Sequence, residues 1–372
     1  MATFDPASAL AGKARLEPVT FADLSGWAED DHAAAFATFL KSCRAAETGL
    51  TPLRPAQAPS LDLTGACRAA LETTIVAPED ARGFFERHFQ PMRVAPTTGS
   101  GFLTGYYEPE FEGSRTPSAT YRVPLLDRPD DLVTVPQGES LPGLDSSLQA
   151  GRRGPSGFEP YPDRAAIEEG ALGQRARPIV YLREPAEAFI LHVQGSARIR
   201  LDDGSVMRVA YAGRNGHPYT SIGKLLVEQG VMDLETMTLE RLMGWLNDNP
   251  EPARALMRQN RSYIFFREAA ELAEAQGPIG GAGIPLTPGR SLAVDRTIWP
   301  YGLPVFIDGT LPHALDRTEP LRRLMVAQDT GSAIVGPARG DFFVGSGEGA
   351  GTQAGLMRHA VSFVILKPKA RP

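Results

Sequence analysis

Residues 324–347 read LMVAQDTGSAIVGPARGDFFVGSG, in which two apolar, strand-like runs each have an aspartate at or beside them. Asp329 comes at the end of the first run, and Asp341 stands between a glycine and two phenylalanines. Apolar runs bounded by glycine and proline are typical of short β-strands. Long glycine-rich connections between such strands are compatible with a closed or partly closed β-barrel.

Outward from this stretch, the chain divides into a helical region, a strand-rich region, a second helical region and a second strand-rich region. The first hundred residues predict helices, with an aspartate cap in DDHAAAFATFLKSCRAA and Pro78 at a second helix start. Farther on, ARIRL and VMRVAYA, joined by Asp-Asp-Gly, predict a β-hairpin. A helical interlude follows, with Ser221 as a cap and Gly230 as a stop, before strands return at SYIFFRE. This order predicts an α+β, mainly β protein rather than alternating βαβ units.

Three further segments carry local predictions. His192 in FILHVQG alternates with apolar neighbours, which predicts a strand. Residues 129–160 are rich in turn-forming residues and predict a long loop. The glycine-rich GSGEGAG at residues 345–351 lacks the Lys-Ser/Thr of a phosphate-binding loop, and no helical pattern clearly follows it.

Length and composition exclude several classes of protein. The 372 residues suggest roughly two domains, and 42% hydrophobic with 22% charged residues is typical of a soluble globular protein. The net charge of −6 argues against nucleic acid as a partner. The longest apolar runs are strand-sized, far below the roughly 20 residues of a membrane span. The start, MATFDPASALAG, is unlike an export signal, so either the protein is cytosolic or a signal has been removed.

Cysteine and histidine usage restricts metal and redox chemistry. Cys43 and Cys67 fit no zinc or redox spacing, and both lie in helical text. They are either small buried thiols or one disulfide between neighbouring helices, which would imply an oxidising compartment. The six histidines form no paired ligand motif, so we expect neither a metal nor another cofactor.

Asp329-Thr330-Gly331-Ser332 resembles the catalytic loop of pepsin-like aspartic proteases. Such enzymes need two carboxylates about 3 Å apart that share one proton, and hence two such loops in a single chain. The second loop is missing here, because Asp308-Gly309-Thr310 is scrambled and Asp145-Ser146-Ser147 lacks the glycine. The protease interpretation is therefore set aside.

Three aspartates remain as candidate catalytic groups: Asp295, Asp329 and Asp341. Aspartates beside strand ends are often turn or cap residues that accept bonds from their own backbone, and this alternative stays open for all three. Asp341 differs because it lies beside aromatic surface. A carboxyl in such surroundings can have its pKa raised toward neutrality, as a general acid at pH 7 requires.

A second group of residues combines aromatic rings with amides and hydroxyls. TGYYEPEFEG, HVQGSARI and YAGRNGHPYTSIG together contribute Thr104, Tyr106, Tyr107, Glu108, Gln194, Gly195, Ser196, Tyr211, Asn215, Gly216 and Tyr219. Sugar rings stack on flat aromatic faces while their hydroxyls require hydrogen bonds, so these residues are candidates for binding a glycan. Tyrosines in β-rich sequence are also common core residues.

Seven ordered blocks from about residue 100 to 368 resemble the membrane-bound lytic murein transglycosylase A family. They are LTGYYEPEFEGSR, FILHVQGSARI, YAGRNGHPYTSIGKLLVEQG, QNRSYIFFRE, GAGIPLTPGRSLAVDRTIWPYGLPVFI, LRRLMVAQDTGSAIVGPARGDFFVGSGEGAGTQAGLM and SFVILKP. The C-terminal blocks resemble the family's module named for three aspartates, which map onto Asp295, Asp329 and Asp341. Ser332 stands where the family pattern suggests a glycine, and the first hundred residues match only loosely.

The resemblance implies a fold and a domain division. A double-psi β-barrel catalytic domain would comprise residues 1–107 with 268–372, including the N-terminal helices. A smaller, β-barrel-like domain with helices would be inserted at residues 108–267, with a groove between the two. The family's usual export signal and lipid-anchor cysteine are absent from this sequence.

The resemblance also implies a reaction, the non-hydrolytic cleavage of the β-1,4 bond between N-acetylmuramic acid and N-acetylglucosamine in peptidoglycan. This carbon–oxygen lyase chemistry leaves a 1,6-anhydromuramic acid product. Asp341 would be the general acid and base, with Asp329 and Asp295 in support. The aromatic and polar group above would line the glycan groove, and Gly331 and Gly347 would let the chain approach closely.

The expected partners are glycan strands of peptidoglycan, with cell-wall synthesis or hydrolysis proteins as further candidates. A monomer in the periplasm, associated with the outer membrane, is the expected setting. The alternative from another class is a non-catalytic glycan-binding or wall-loosening protein on the same barrel. Retention of Asp341 together with Asp329 favours the enzyme.

Overall fold

The structure is a computed structural model that describes residues 10–136, 139–273, 276–314 and 317–370. The chain divides into two compact units, one formed by Met1–Tyr107 with Ala275–Pro372 and the other by Glu108–Glu274. The first unit contains an 8-stranded sheet, the second contains a 6-stranded and a 3-stranded sheet, and each unit has its own hydrophobic clusters. Across the described ranges, no helix combines the length and apolar character needed to cross a membrane.

Strands and short helices alternate along the described chain. The strands are β1 (Ala14–Pro18), β2 (Phe89–Pro96), β3 (Gly101–Glu108), β4 (Glu110–Ser114), β5 (Val123–Leu126), β6 (Val133–Thr134), β7 (Ala150–Gly154), β8 (Gly157–Pro160), β9 (Pro178–Leu182), β10 (Ser196–Leu201), β11 (Val206–Arg214), β12 (Ile264–Glu268), β13 (Ser291–Val294), β14 (Pro304–Ala314), β15 (Arg317–Asp329), β16 (Arg339–Ser346) and β17 (Arg358–Pro368). The α-helices are α1 (His32–Glu47), α2 (Leu61–Glu72), α3 (Pro78–His88), α4 (Arg164–Glu168), α5 (Pro185–Gln194), α6 (Ile222–Glu228), α7 (Leu239–Asp248), α8 (Pro250–Gln259) and α9 (Glu348–Leu356).

The first unit is built on an 8-stranded sheet that closes on itself. Its strand order is β1-β2-β17-β14-β15-β13-β16-β3, and β3 pairs back with β17. The strands from β17 to β3 therefore form a closed barrel, with β1 and β2 as an extension. The short strand β13 runs parallel to β15 and antiparallel to β16. The predicted α+β architecture with a closed barrel is confirmed.

Helices α1 to α3 cover one side of this barrel through an aromatic cluster. Phe36, Phe39, Phe84 and Phe85 pack with apolar residues of β14, β15 and β17. Burying each such ring contributes about 1.5–3 kcal/mol. Cys43 on α1 and Cys67 on α2 form a disulfide, so the structure takes the second of the two alternatives for these cysteines.

A buried glutamine ties helix α1 to the strand that carries Asp329. Gln328 is 0% exposed, and its Nε2 donates to Thr38 O and Ser42 Oγ, at 2.9 Å in each case. Its Oε1 accepts from Ser291 Oγ on β13 at 2.6 Å. Because each of these polar groups is satisfied, the tie fixes the end of β15 against both α1 and β13.

The second unit contains a 6-stranded sheet of order β12-β11-β10-β4-β9-β5. A bridge between Asp127, just after β5, and Phe266 on β12 joins the two edges, which makes the sheet barrel-like. Strands β10 and β11 form the predicted hairpin. Ser221 caps α6 by accepting from Lys224 N, as predicted.

The prediction of a strand at His192 is wrong, because this residue lies in α5. Pro185 occupies the first turn, and Gly195 ends the helix with a φ of 81°, a conformation that favours glycine. This helix packs against two hydrophobic clusters of the second unit and is apolar on most sides. Its sequence therefore shows no alternation of apolar and polar residues with a helical period. An apolar run of this length does not distinguish a strand from a buried helix.

Two other local predictions are corrected. Residues 129–160 are not merely a loop, since β6, β7 and β8 form a 3-stranded sheet there, although Gln137 and Gly138 lie outside the described residues. A helix, α9, begins at Glu348 inside the glycine-rich GSGEGAG segment and continues beyond it. Its several glycines lower the intrinsic helix propensity, which is why no helical pattern was visible.

Candidate active site

Two of the three aspartates are brought together by strand register in the first unit. Ala293 on β13 is paired with Asp329 on β15 and, on its other side, with Asp341 on β16. Residues opposite one another in a sheet project from the same face. Asp329 and Asp341 therefore project from one face of the barrel wall, separated by a single strand.

Asp341 is a half-buried residue whose carboxyl accepts a hydrogen bond from a described hydroxyl. Thr104 Oγ1 on β3 donates to its Oδ1 at 2.5 Å. Burial raises the pKa of Asp341 to about 6, opposed by the Arg339 charge and the Thr104 hydrogen bond and assisted by the Asp329 charge. A carboxyl with this pKa can hold a proton near neutrality and still release it, as general acid and base catalysis requires.

Asp329 is occupied by three hydrogen-bond donors. Its Oδ1 accepts from Gly281 N at 2.7 Å and from Thr330 N at 2.8 Å, and its Oδ2 accepts from Tyr106 Oη at 2.8 Å. Burial raises its pKa, and the three donors work in the opposite direction by stabilising the carboxylate. Its bonds hold it in place, and its negative charge helps to raise the pKa of Asp341.

Asp295 lies just after β13 and contacts neither of the other two carboxyls through a described hydrogen bond. Its Oδ1 accepts from Thr297 N at 2.9 Å and Thr297 Oγ1 at 2.6 Å. Its Oδ2 accepts from Gly336 N at 2.8 Å, in the loop before β16. These contacts are those of a turn aspartate, the alternative left open by the sequence. Asp295 thus fixes the loop that leads to Asp341.

Strand β3 supplies the tyrosines of the first unit. Thr104 and Tyr106 are two residues apart and project from the same face, toward Asp341 and Asp329 respectively. Burial and the neighbouring Asp329 charge raise the pKa of Tyr106 well above its ordinary value, so its hydroxyl is a hydrogen donor. Tyr107 projects from the opposite face and is buried, and burial raises its pKa to about 12.

Several residues of the second unit that were predicted to contact the glycan are instead buried and bonded to other parts of the protein. Glu108 is 1% exposed and pairs with Arg198 at 3.0 Å and Arg208 at 2.7 Å. Asn215 is 0% exposed, donates to Pro162 O and Arg261 O, and accepts from Tyr263 N. A Cβ at Gly216 would lie 2.2 Å from Ala150 N, so this glycine permits close backbone packing.

The other predicted residues keep partial exposure, except Ser196. Gln194 and Gly195 end helix α5, Ser196 is buried at the start of β10, and Tyr211 lies on β11. Tyr219 precedes α6, and burial raises its pKa. In the first unit, Gly331 lies in the loop after Asp329, and Gly347 is the N-cap of α9. Among the described residues, no atom lies within 4 Å of a Cβ built on Gly347, so the space beside this glycine is open.

Two residues of the site were missed from the sequence. Arg339, two positions before Asp341, donates through Nη2 to Thr104 Oγ1 at 2.7 Å. Tyr301 has a buried hydroxyl for which the described part of the chain offers no hydrogen-bond partner, and the Asp329 charge adds to burial in raising its pKa. A Cβ at Gly281 would lie 2.5 Å from this hydroxyl. The ARGD spacing was a usable signal for Arg339, whereas nothing in WPYG indicates that Tyr301 lies near Asp329.

Within the described part of the chain, no group of three or more His, Cys, Asp and Glu side chains is arranged to hold a metal ion. The side chains that meet around Asp341 and Asp329 carry carboxyl, hydroxyl and guanidinium groups. One carboxyl that titrates near neutrality, next to a fully bonded carboxylate, can transfer a proton to and from a bound molecule.

Comparison with known proteins places these features in a family context. Residues 102–267 match the MltA specific insert domain, and residues 290–367 match the 3D domain. A curated relative, the membrane-bound lytic murein transglycosylase A of Vibrio cholerae, is 32% identical over 266 residues, which is 70% of this chain and 64% of that protein. The chain thus spans slightly less than two thirds of that relative's length.

The similarity to solved structures covers nearly the whole chain. A membrane-bound lytic murein transglycosylase from Agrobacterium tumefaciens is 40% identical with a TM-score of 0.85, covering 95% of this chain and 97% of that one. E. coli MltA with bound chitohexaose is 25% identical with a TM-score of 0.65, covering 97% and 95%. These matches confirm the double-psi β-barrel predicted for the first unit.

Proposed function

Because this chain belongs to the membrane-bound lytic murein transglycosylase A family, we propose that it is a peptidoglycan lytic transglycosylase. It cleaves the β-1,4 bond between N-acetylmuramic acid and N-acetylglucosamine without water and leaves a 1,6-anhydromuramic acid end. Glycan strands are its substrate, in keeping with the chitohexaose bound in the E. coli structure.

The observation that carries the proposal is a difference in hydrogen bonding and pKa between Asp341 and Asp329, the two carboxyls on either side of Ala293. Asp341 has one hydroxyl donor and a pKa of about 6, whereas both oxygens of Asp329 already accept hydrogen bonds. Ordinary glycosidases use two working carboxyls, one as the acid and one as the nucleophile or base. A single working carboxyl fits a reaction whose nucleophile belongs to the substrate.

The proposed reaction balances its protons through Asp341 alone. The Asp341 carboxyl donates its proton to the glycosidic oxygen as the bond to C1 of the muramic acid breaks. The resulting carboxylate then accepts the proton of the C6 hydroxyl of the same sugar, and that oxygen bonds to C1. Because the hydroxyl is tethered to the reacting ring, its effective molarity is high without an enzyme nucleophile. Asp341 is left protonated, as at the start.

Supporting roles follow from the described contacts. Asp329 is proposed to keep the pKa of Asp341 high through its charge, and Asp295 to hold the loop that precedes Asp341. Of the predicted glycan contacts, the proposal rests on those that keep partial exposure: Thr104, Tyr106, Gln194, Gly195, Tyr211, Tyr219, Gly331 and Gly347. The buried Tyr107, Glu108, Ser196, Asn215 and Gly216 are proposed to support the fold around them.

The test is the release of soluble products from purified sacculi by the Asp341→Asn variant. An amide cannot donate a carboxyl proton, so product formation falls by about 10²–10⁴-fold. Mass spectrometry of the wild-type digest shows products with anhydro ends, and their mass separates them from hydrolysed ends. Asp248→Asn, at the exposed end of α7, is the matched control and keeps full activity.

Two results would contradict the proposal. Undiminished anhydro-product release by Asp341→Asn would remove Asp341 as the acid. A wild-type protein that binds sacculi but releases nothing would favour the alternative of a non-catalytic glycan-binding protein on the same barrel. Wild-type activity is also expected to fall as pH rises through about 6, the pKa of Asp341.

The setting of the protein is part of the proposal. Disulfides such as Cys43–Cys67 persist in oxidising compartments, which is consistent with the periplasm. The Vibrio cholerae relative is named as membrane-bound, and association with the outer membrane is proposed on that basis. We further propose that the catalytic domain is residues 1–107 with 268–372 and the inserted domain is residues 108–267, acting as a monomer with other cell-wall proteins as partners.

A further inference from the structure

Arg339 is held at three points beside the proposed acid. Its Nη2 donates to Thr104 Oγ1 at 2.7 Å, its Nη1 donates to the Gly340 carbonyl, and its guanidinium lies over the Phe102 ring, 5.4 Å from the centroid. Phe102 and Thr104 are two residues apart on β3, so one face of that strand fixes the guanidinium. The Arg339 guanidinium is thus held against β3, and it makes no described ion pair with Asp341.

The bond from Arg339 determines what the Thr104 hydroxyl can do. A hydroxyl has one hydrogen to donate and two lone pairs that accept. Because Arg339 has only hydrogens to offer, it occupies a lone pair of Thr104 Oγ1, and the single hydrogen is left for Asp341 Oδ1. An oxygen that accepts this hydrogen is the less favourable position for the acid proton.

We propose that Arg339 is a positioning residue that acts through Thr104, directing the Thr104 hydrogen to Asp341 Oδ1 so that the transferable proton resides on Oδ2. This inference rests on the proposed function, since it specifies which oxygen of the acid faces the glycosidic bond. It assigns Thr104, predicted as a glycan contact, to the orientation of Asp341. It also assigns a role to Arg339, which the sequence did not single out.

Other titratable and charged groups lie on β3 itself and on the elements that adjoin the relay formed by Arg339, Thr104 and Asp341. Those on neighbouring elements are Asp329 on β15, Tyr106 on β3, Arg358 on β17 in register with Thr104, Asp295 after β13 and Glu348 at the start of α9. Of these, the Asp329 charge raises the pKa of Asp341. The Arg339 charge and the Thr104 bond both oppose the rise caused by burial. Removing either one is expected to raise the pKa of Asp341 further.

The experiment compares pH profiles of anhydro-product release by Thr104 variants. In Thr104→Val the hydroxyl is lost at nearly constant shape, so the alkaline limb of kcat/KM moves up by about 0.5–1 pH unit and kcat falls about two- to tenfold. Thr104→Ser keeps the hydroxyl and retains the wild-type limb. Thr97→Val, an exposed threonine after β2, is the matched control and changes neither quantity.

A double-mutant cycle tests whether Arg339 acts through Thr104. In the Arg339→Met background, Thr104→Val is expected to move the limb less than it does in the wild type, because the hydroxyl is no longer oriented. An equal shift in both backgrounds would overturn the relay. An unmoved limb in Thr104→Val would overturn the action of Thr104 on Asp341.

A second measurement does not depend on activity. The carboxyl ¹³C signal of Asp341, identified by its absence in Asp341→Asn, reports the pKa directly and is expected to titrate at higher pH in Thr104→Val than in the wild type. An equal pKa in the two proteins would contradict the proposal. Failure of the proposed function has a different signature, because a wild type without anhydro products leaves the NMR comparison intact.

Discussion

Glu108 in the second unit and Asp341 in the first unit each have an arginine nearby, but the arginines form different hydrogen bonds. In the second unit, Arg198 and Arg208 donate directly to Glu108. In the first unit, Arg339 donates to Thr104 and the Gly340 carbonyl, and Asp341 receives one hydroxyl hydrogen. Direct pairing neutralises Glu108 and makes it part of the scaffold. An arginine held one hydrogen bond away leaves Asp341 able to take up and release a proton.

The largest expected effect is a loss of folding stability when the charge of Glu108 is removed. Glu108→Gln leaves two arginines facing an uncharged group in a buried site, which destabilises the fold by about 3–5 kcal/mol. Denaturant unfolding measures the change. Glu110→Gln is the matched control, because Glu110 pairs with the exposed Arg200 and such surface pairs contribute at most about 1 kcal/mol. Equal effects of the two substitutions would contradict a structural role for Glu108.

Asp341→Asn is expected to change stability in the opposite direction. The pKa of Asp341 in the folded state, about 6, exceeds its ordinary value of 3.8, so ionisation favours the unfolded chain. This cost grows as pH rises from about 4 to 6 and is complete above that range. The variant is therefore more stable than the wild type at pH 8, by up to about 3 kcal/mol, and the difference disappears near pH 3.

Thermal unfolding across this pH range measures the effect. Asp248→Asn serves again as the control, because it makes the same substitution at the exposed end of α7. A variant less stable than the wild type at pH 8 would show that Asp341 is stabilised as a carboxylate. That outcome would place it with Glu108 as a structural group.

The smallest expected effect concerns Tyr301, whose buried hydroxyl has no hydrogen-bond partner among the described residues. Tyr301→Phe removes an unsatisfied group and raises the free energy of unfolding by about 1 kcal/mol. Tyr161→Phe is the contrasting control, since the Tyr161 hydroxyl donates to Asp131 at 2.8 Å and its loss is destabilising. A destabilised Tyr301→Phe variant would indicate that this hydroxyl is bonded to water or to Asp329 in solution.

The sequence was informative where a pattern had a local physical cause. Pro78 at a helix start, Ser221 as a cap and Asp-Asp-Gly in a hairpin each act within a few residues, and each prediction is confirmed. Helix α5 was missed because it is apolar on most sides and its sequence therefore shows no helical period. Helix α9 was missed because its glycines have low helix propensity. In α5 the missing signal was periodicity, and in α9 it was helix propensity.

The candidate site was only partly visible from the sequence, for a related reason. Asp341 stood out because glycine and phenylalanine flank it, which is local information. The pairing of Asp329 and Asp341 with one alanine, and the approach of Arg339 to Thr104, depend on strand register across the barrel. Likewise, the burial of Glu108 between two arginines depends on contacts far along the chain.

Strand β17 has a consequence for the order of folding. It pairs with β2, β3 and β14, so the barrel cannot close until residues 358–368 are available. The second unit, a continuous segment from 108 to 274, can complete its own contacts earlier. During synthesis or export, the edges of β2 and β3 that pair with β17 therefore stay unpaired until that strand is available, more than half the chain length later. Such long-range closure is slow and exposes the chain to aggregation, which makes barrel closure the expected rate-limiting step.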